Sequence, residues 1–229
     1  LKESAIEETR VALTPEIAKK LIQLNATIIM EEGAGELSNH LDDEYEGVEF
    51  FDAQSVLKKA NLLLTVQPIT KEQSNQLGHG SCVVGMIFGH LNKEVVYSLK
   101  EKNHTSFAME LMPRISRAQS MDVLSSQAAA AGYQSVLIAA TTLDKFFPML
   151  TTAAGTIRPA QILIIGAGVA GLQAIATAKR LGAIVKGYDV RSATKEQIES
   201  LGAKFVDTGV SADGEGGYAR ELTKEEKSS

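Results

Sequence analysis

The sequence predicts an α/β chain of two parallel-sheet domains joined by a long helix, and three observations carry that prediction. Apolar, β-branched runs alternate with helical patterns along most of the chain, the mark of parallel strands linked by crossover helices. An alanine-rich helical pattern runs from about Ser120 to Phe147 and stops at Pro148. Beyond it, a second block carries a glycine-rich turn that the first block lacks. These observations place one domain at 1–125 and the other at 126–229.

The first domain opens on Thr14-Pro15-Glu16, a helix start with a capping threonine, a proline in the first turn and an acid at the dipole's positive end. Ile17, Leu21 and Leu24 follow at helical spacing and predict a buried stripe. Ala26–Met30 reads as a strand leading to a Gly33-Ala34-Gly35 turn, and the acidic stretch Glu36–Glu49 as surface loop with a short helix. Ser55–Ala60 ends a helix. Asn61–Val66, Cys82–Ile87 and Thr105–Met109 read as strands, with helices at Lys71–Leu77 and Lys93–Lys102. At 1.5 Å per residue the helix after Ser120 would run on the order of 40 Å, with Gly132 a place to bend. Met149–Arg158 reads as a loop.

The second domain turns on one stretch. The strand Ala160–Ile165 enters Gly166-Ala167-Gly168-Val169-Ala170-Gly171, a helix from Leu172 to Leu181 ends at Gly182, and a second strand finishes on Asp189. This is a GxGxxG turn in the strand–helix–strand setting that gives it meaning. Gly166 suits the tight turn, Gly168 close approach of backbone to a pyrophosphate, and Gly171 close helix–strand contact. The free N–H groups at the helix start favour an anion. Asp189 lies 189 − 171 = 18 positions after the last glycine, where a carboxylate accepts from a ribose 2′-OH and repels a 2′-phosphate. NAD(H) is therefore expected over NADP(H), with Arg191 as a counter-signal, because a nearby arginine can take a 2′-phosphate. A helix at Thr194–Leu201 and a strand at Lys204–Asp207 complete the first half of a Rossmann sheet. The glycine-rich run around Tyr218 that follows reads as a mobile loop.

Bulk properties narrow the class. The chain is 44% hydrophobic and 22% charged, ordinary for a globular protein, and its net charge of −5 argues against non-specific nucleic-acid binding. No run approaches the roughly 20 apolar residues of a membrane span. Cys82 is the only cysteine, so no internal disulfide can form and a reducing compartment is expected. The opening Leu1-Lys2-Glu3-Ser4 reads as though a first strand had been removed ahead of it, and the charged run at 225–229 as a helix cut short.

Arg114, Arg117, Gln119, Asp122 and Ser125 form a polar cluster at the mouth of the long helix. The last three sit at spacing three, which would put them on roughly one helical face. Spacing alone fits a ligand pocket or a solvated helix start with Asp122 paired to an arginine. His40, His79, His90 and His104 are scattered, and no metal-ligand spacing or nucleophile–histidine pair stands out.

Ala108–Gln127, Gly155–Ala183 and Tyr188–Phe205 together resemble the NAD(H)-binding domain I of the proton-translocating nicotinamide nucleotide transhydrogenases, wider relatives of the alanine and saccharopine dehydrogenases. Arg10-Val11-Ala12-Leu13-Thr14-Pro15-Glu16 fits the whole group. The resemblance implies that Arg114 and Gln119 contact the nicotinamide end, with Asp122 and Ser125 completing the pocket. It implies that Gly166, Gly168, Val169 and Gly171 meet the pyrophosphate. Asp189, Val190 and Arg191 would border the adenosine ribose, and Gly217 and Tyr218 would belong to a loop that closes over nucleotide. It further implies direct hydride transfer from NADH to NADP⁺ on a separate domain III, coupled to proton movement through a membrane domain II. A homodimer at the cytoplasmic face of the inner membrane, or on the matrix side in mitochondria, goes with it. Such chemistry needs two nicotinamide rings held together with water excluded, and no nucleophile.

Two other readings stay open at this level. An alanine dehydrogenase would use a lysine on the third strand, where Leu64-Thr65-Val66-Gln67-Pro68 offers Thr65 or Val66; it would also use Arg10 for a carboxylate, and His90 lies near a family histidine. A non-catalytic nucleotide-binding fragment, inactive alone, is the other.

Overall fold

A computed structural model describes residues 1–113, 115–212, 214, 220, 221 and 223. The chain divides into two compact units, Leu1–Asp122 and Val123–Ser229. Both are α/β units with parallel sheets, and in sequence the long helix lies between the parallel sheets of the first unit and that of the second.

In the first unit α1 (Pro15–Gln23) starts behind Thr14 as the sequence indicates. Of the predicted stripe only Leu21 faces inward. Ile17 is 43% exposed and Leu24 77%, whereas Ala18 is 1% exposed. Leu24 lies past the helix end as its C-cap, and the face turned inward is Ala18 with Leu21, packed near Leu13, Met30 and Tyr45. β1 (Ile29–Glu31) pairs in parallel with β2 (Glu49–Phe51), a strand that the sequence does not reveal: its first residue closes the stretch read as acidic loop, and Phe50 and Phe51 carry no assignment. Three residues behind a polar run are too few to show a period of two. α2 (Ala53–Lys59) is capped by Asp52, which accepts from the Ser55 N–H at 2.9 Å. β3 (Leu62–Leu64), β4 (Cys82–Gly85) and β5 (Thr105–Ala108) form a parallel sheet in that order. α3 (Lys71–Gln76) begins in a reciprocal Thr70–Gln73 capping box, and α4 (Lys93–Glu101) buries Val95 and Leu99 against Leu63, Val83 and Ile87.

Alternation of the ladder bonds fixes what the outer edges present. Asn61 and Thr65 bond towards β4, and Ile28 and Glu32 towards β2. The main-chain groups of Leu62 and Leu64, and of Ile29 and Glu31, therefore point away from those partners. Both edges line an apolar cavity of about 430 Å³, together with Leu1, Leu21 and Val56.

The second unit opens with α5 (Val123–Thr142), 20 residues long and so about 30 Å. It is shorter than predicted at both ends. Ser116–Met121 is a 3₁₀ helix, and Asp122, with ψ at 86°, interrupts the helical path before Val123. At the far end the Thr141 and Thr142 hydroxyls donate to carbonyls one turn back, and the chain leaves the helix before Phe147. The expected loop after Pro148 is an antiparallel hairpin of β6 (Leu150–Thr152) and β7 (Gly155–Ile157). β8 (Gln161–Ile165), β9 (Ile184–Tyr188) and β10 (Lys204–Phe205) form a parallel sheet in the order β10-β9-β8. α6 (Val169–Arg180) and α7 (Thr194–Ser200) supply Ala174, Ile175, Ala178 and Ile198 to a core shared with Val136, Phe147 and Val185. Among the described residues no helix is long and apolar enough to cross a membrane.

Gly132 does not serve as a bend. It is buried where α5 meets α6, and a Cβ there would stand 2.1 Å from the Ala170 carbonyl oxygen. Backbone cannot yield cheaply at that distance. Gly132→Ala is expected to cost the second unit more than about 2 kcal/mol. Urea unfolding followed by hydrogen exchange in α5 and α6 checks this; a variant as stable as the parent contradicts it.

Candidate nucleotide-binding site

The predicted glycine turn is where the second unit concentrates its polar backbone. β8 is an apolar run whose Ile162 and Ile164 pack on the core. The ladder continues one bond past the strand: the Gly166 N–H donates to the Tyr188 carbonyl at 2.7 Å. Gly166 then takes φ +91°, a left-handed conformation that strains any side chain. Gly168 is the N-cap of α6 and no side chain caps the helix, which begins at Val169, three residues before the predicted start. Gly171 consequently sits inside the first turn, and a Cβ there would fall 1.7 Å from the Gly166 carbonyl oxygen. Cβ atoms at Gly166 or Gly168 would meet nothing within 4 Å. The turn is thus bare backbone facing open space, with the positive end of a twelve-residue helix behind it. Val169 is 46% exposed at its rim.

Asp189 closes the arrangement at the end of β9. Its carboxylate is almost fully buried and accepts from the Ala167 N–H at 2.6 Å and from the Arg191 N–H at 2.9 Å. The Arg191 guanidinium adds Nε at 2.9 Å to one oxygen and Nη2 at 2.8 Å to the other. These bonds, the arginine's first, hold the carboxyl down to about 2 against the opposing effect of burial. Arg191, the counter-signal to NAD(H) in the sequence, is paired to the acid two residues before it. Val190 is half-buried, and its carbonyl accepts from the Ala212 N–H at 2.7 Å.

The remaining predicted residues are placed as follows. Gln119 is exposed on the Ser116–Met121 turn, and its carbonyl accepts from the Asp122 N–H at 3.2 Å. Asp122 is half-buried at the end of the first unit, and Ser125 is half-buried in the first turns of α5. They do not share one helical face, because 3₁₀ geometry and the break at Asp122 remove the common helix the spacing assumed. Arg114, Gly217 and Tyr218 lie outside the described residues.

In the first unit a second acid–arginine pair appears that sequence reasoning did not anticipate. Arg10 donates Nε and Nη2 to the two oxygens of Glu8 at 2.7 and 2.6 Å, and Gln67 Nε2 donates to Glu8 at 2.6 Å. The Arg10 bonds hold the Glu8 carboxyl down to about 2. Thr65 is buried with its hydroxyl against Gly85, and His90 is exposed on a turn. The Glu8-x-Arg10 spacing was the only available signal for the pair.

A depressed carboxyl stabilises the fold above its ordinary range and ceases to do so as pH falls through the folded value. The Asp189 contribution is expected to be about 2 kcal/mol at neutral pH and to vanish between about pH 4 and pH 2. Urea unfolding of the parent and Asp189→Asn at pH 7 and pH 2 measures it. A gap between the two proteins that does not shrink on acidification contradicts the assignment.

Comparison with known proteins meets the same two halves. The N-terminal domain of the family described as alanine dehydrogenase/PNT matches residues 1–131, and its C-terminal domain matches residues 135–228. The chain is 47% identical to the Rickettsia prowazekii protein named as the first part of NAD(P) transhydrogenase subunit alpha, over 99% of this chain and 62% of that one. It is 45% identical to the like-named protein of Rhodospirillum rubrum, over 98% and 62%. The crystal structure of transhydrogenase from Sinorhizobium meliloti superimposes with a TM-score of 0.87 at 48% identity, over 91% of this chain and 63% of that chain. The chain therefore spans about three fifths of the length of these relatives, and it belongs to the alanine dehydrogenase/PNT family.

Proposed function

We propose that this chain is the NAD(H)-binding component of a proton-translocating NAD(P)⁺ transhydrogenase. The observation that carries the reading is the turn itself: bare backbone and an uncapped helix start on one side, a buried, ionised Asp189 on the other. These groups fit a dinucleotide. The N–H groups from Gly168 into α6 would receive the pyrophosphate, and Asp189 would receive the hydroxyls of the adenosine ribose, which favours NAD(H) over NADP(H). Val169, Val190 and Arg191 would border the nucleotide. Arg114, Gln119, Asp122 and Ser125 are proposed to hold the nicotinamide end, and Gly217 and Tyr218 to belong to the covering loop.

When bound, the dihydronicotinamide supplies a hydride, which a second nicotinamide accepts. The chain's own contribution would then be to fix orientation and keep water out, with Gln119 beside the ring; no acid, base or nucleophile is required. NADP⁺ would be presented by a separate NADP(H)-binding domain, with coupling to protons through a membrane domain, and the component would act as a homodimer at that membrane. Amino-acid dehydrogenation fits less well. The arginine that would receive a substrate carboxylate is engaged on both Glu8 oxygens, and Thr65 stands just past β3 where that chemistry wants a lysine.

Gln119→Ala, assayed with the NADP(H)-binding and membrane components present, is expected to slow hydride transfer to NADP⁺ at least roughly tenfold, with NADH affinity changed less than about threefold. Unchanged transfer contradicts the role of Gln119. NADH formation from L-alanine and NAD⁺ by the parent chain would contradict the transhydrogenase reading. Gly168→Ala tests the turn: stability is expected to stay within about 0.5 kcal/mol, since the added methyl meets no atom, while NADH binding weakens.

A further inference from the structure

Asp189 is already saturated. An ionised carboxylate offers about four lone-pair sites. Here one oxygen takes the Ala167 N–H and Arg191 Nη2, and the other takes the Arg191 N–H and Arg191 Nε. A ribose whose hydroxyls donate to this carboxylate must displace donors that are in place. Two of the four are main-chain N–H groups set by the turn and by the residue two positions on, so neither can leave without unwinding backbone. The other two belong to one side chain that reaches back from the outer side. The Arg191 side chain is 23% exposed and that of Asp189 only 7%, so the guanidinium is the more accessible partner of the two.

We infer that the Arg191 side chain competes with the adenosine ribose for Asp189, acting as an internal counter-ion that must give way for the dinucleotide to seat. The inference rests on the NAD(H) reading of the turn. Through its two bonds the arginine holds both carboxylate oxygens in place. On binding, the ribose hydroxyls take over its two lone-pair sites, and the guanidinium turns outward at the ribose edge. Displaced from Asp189, it would stand at the side of the ribose that carries the 2′ position. Arg191 is therefore also a latent ligand for a 2′-phosphate, silent while Asp189 is ionised, because the phosphate would meet the carboxylate's charge.

The test is a set of NADH and NADPH titrations of the full chain as parent, Arg191→Ala, Asp189→Asn and the double variant, each with a thermal melt to establish folding. Arg191→Ala is expected to bind NADH at least about threefold more tightly than the parent, since the competitor is gone while Asp189 stays ionised at neutral pH. Asp189→Asn is expected to gain at least about tenfold in NADPH affinity, and the double variant to lose that gain. A purely structural arginine would lower the melting temperature and weaken NADH. Folded Arg191→Ala binding NADH no better than the parent overturns the inference while leaving the cofactor reading intact. NADH binding to neither the parent nor Arg191→Ala overturns both. An NADPH gain in Asp189→Asn that survives loss of Arg191 overturns the latent phosphate role.

Discussion

The bond from the Ala167 N–H to Asp189 ties the glycine turn to the end of β9, and the site depends on it. Ala167 sits between the glycine that turns the chain out of β8 and the glycine that caps α6. Asp189 sits where β9 ends. A charged acceptor buried between them fixes the end of one strand to the start of the other strand's helix, and a charge-assisted bond in a dry place is stronger than a neutral one. The carboxylate tolerates burial because the Arg191 guanidinium and two main-chain donors compensate it.

The same device recurs where other parallel strands end. Past β3, Glu3 receives the N–H groups of Val66 and Gln67 at 2.6 and 3.0 Å. Past β4, Glu110 receives those of Ile87 and Phe88 at 3.0 and 2.7 Å. Past β1, Asp42 receives that of Gly33 at 3.0 Å. In each case N–H groups that leave the ladder at a strand's carboxyl end find an acid instead of water. These acids secure the carboxyl ends of three parallel sheets, where ligands bind in open α/β folds. At β8 the acid is joined by an uncapped helix start whose glycines face open space. That combination separates a phosphate cradle from a well-tied turn.

Much of this was legible in the residues, for definite reasons. The alternation of strand and helix, the glycine turn and Asp189 follow from local backbone needs that particular residues announce. Gly166 adopts a positive φ, and Gly171 has no room for a side chain. The failures involve tertiary contacts. The α1 stripe is misplaced because Ala18, not Ile17, meets Tyr45 and Leu13. Gly132 reads as a hinge in sequence and is a contact point in space, since α6 presses on it. β2 and the β6–β7 hairpin are too short to show a period. The common face expected for Gln119, Asp122 and Ser125 dissolves because Asp122 leaves the helical path, which nothing in its neighbours' propensities signals. The Glu8–Arg10–Gln67 network joins residues about sixty positions apart, beyond any local rule.

The most direct measurement of the central claim is amide hydrogen exchange of the intact chain with and without NADH. If the turn holds the dinucleotide, the amides from Gly166 to Ala170 and from Asp189 to Arg191 slow together on adding NADH. Protection confined to other segments, with these amides unchanged at saturating NADH, would contradict the account.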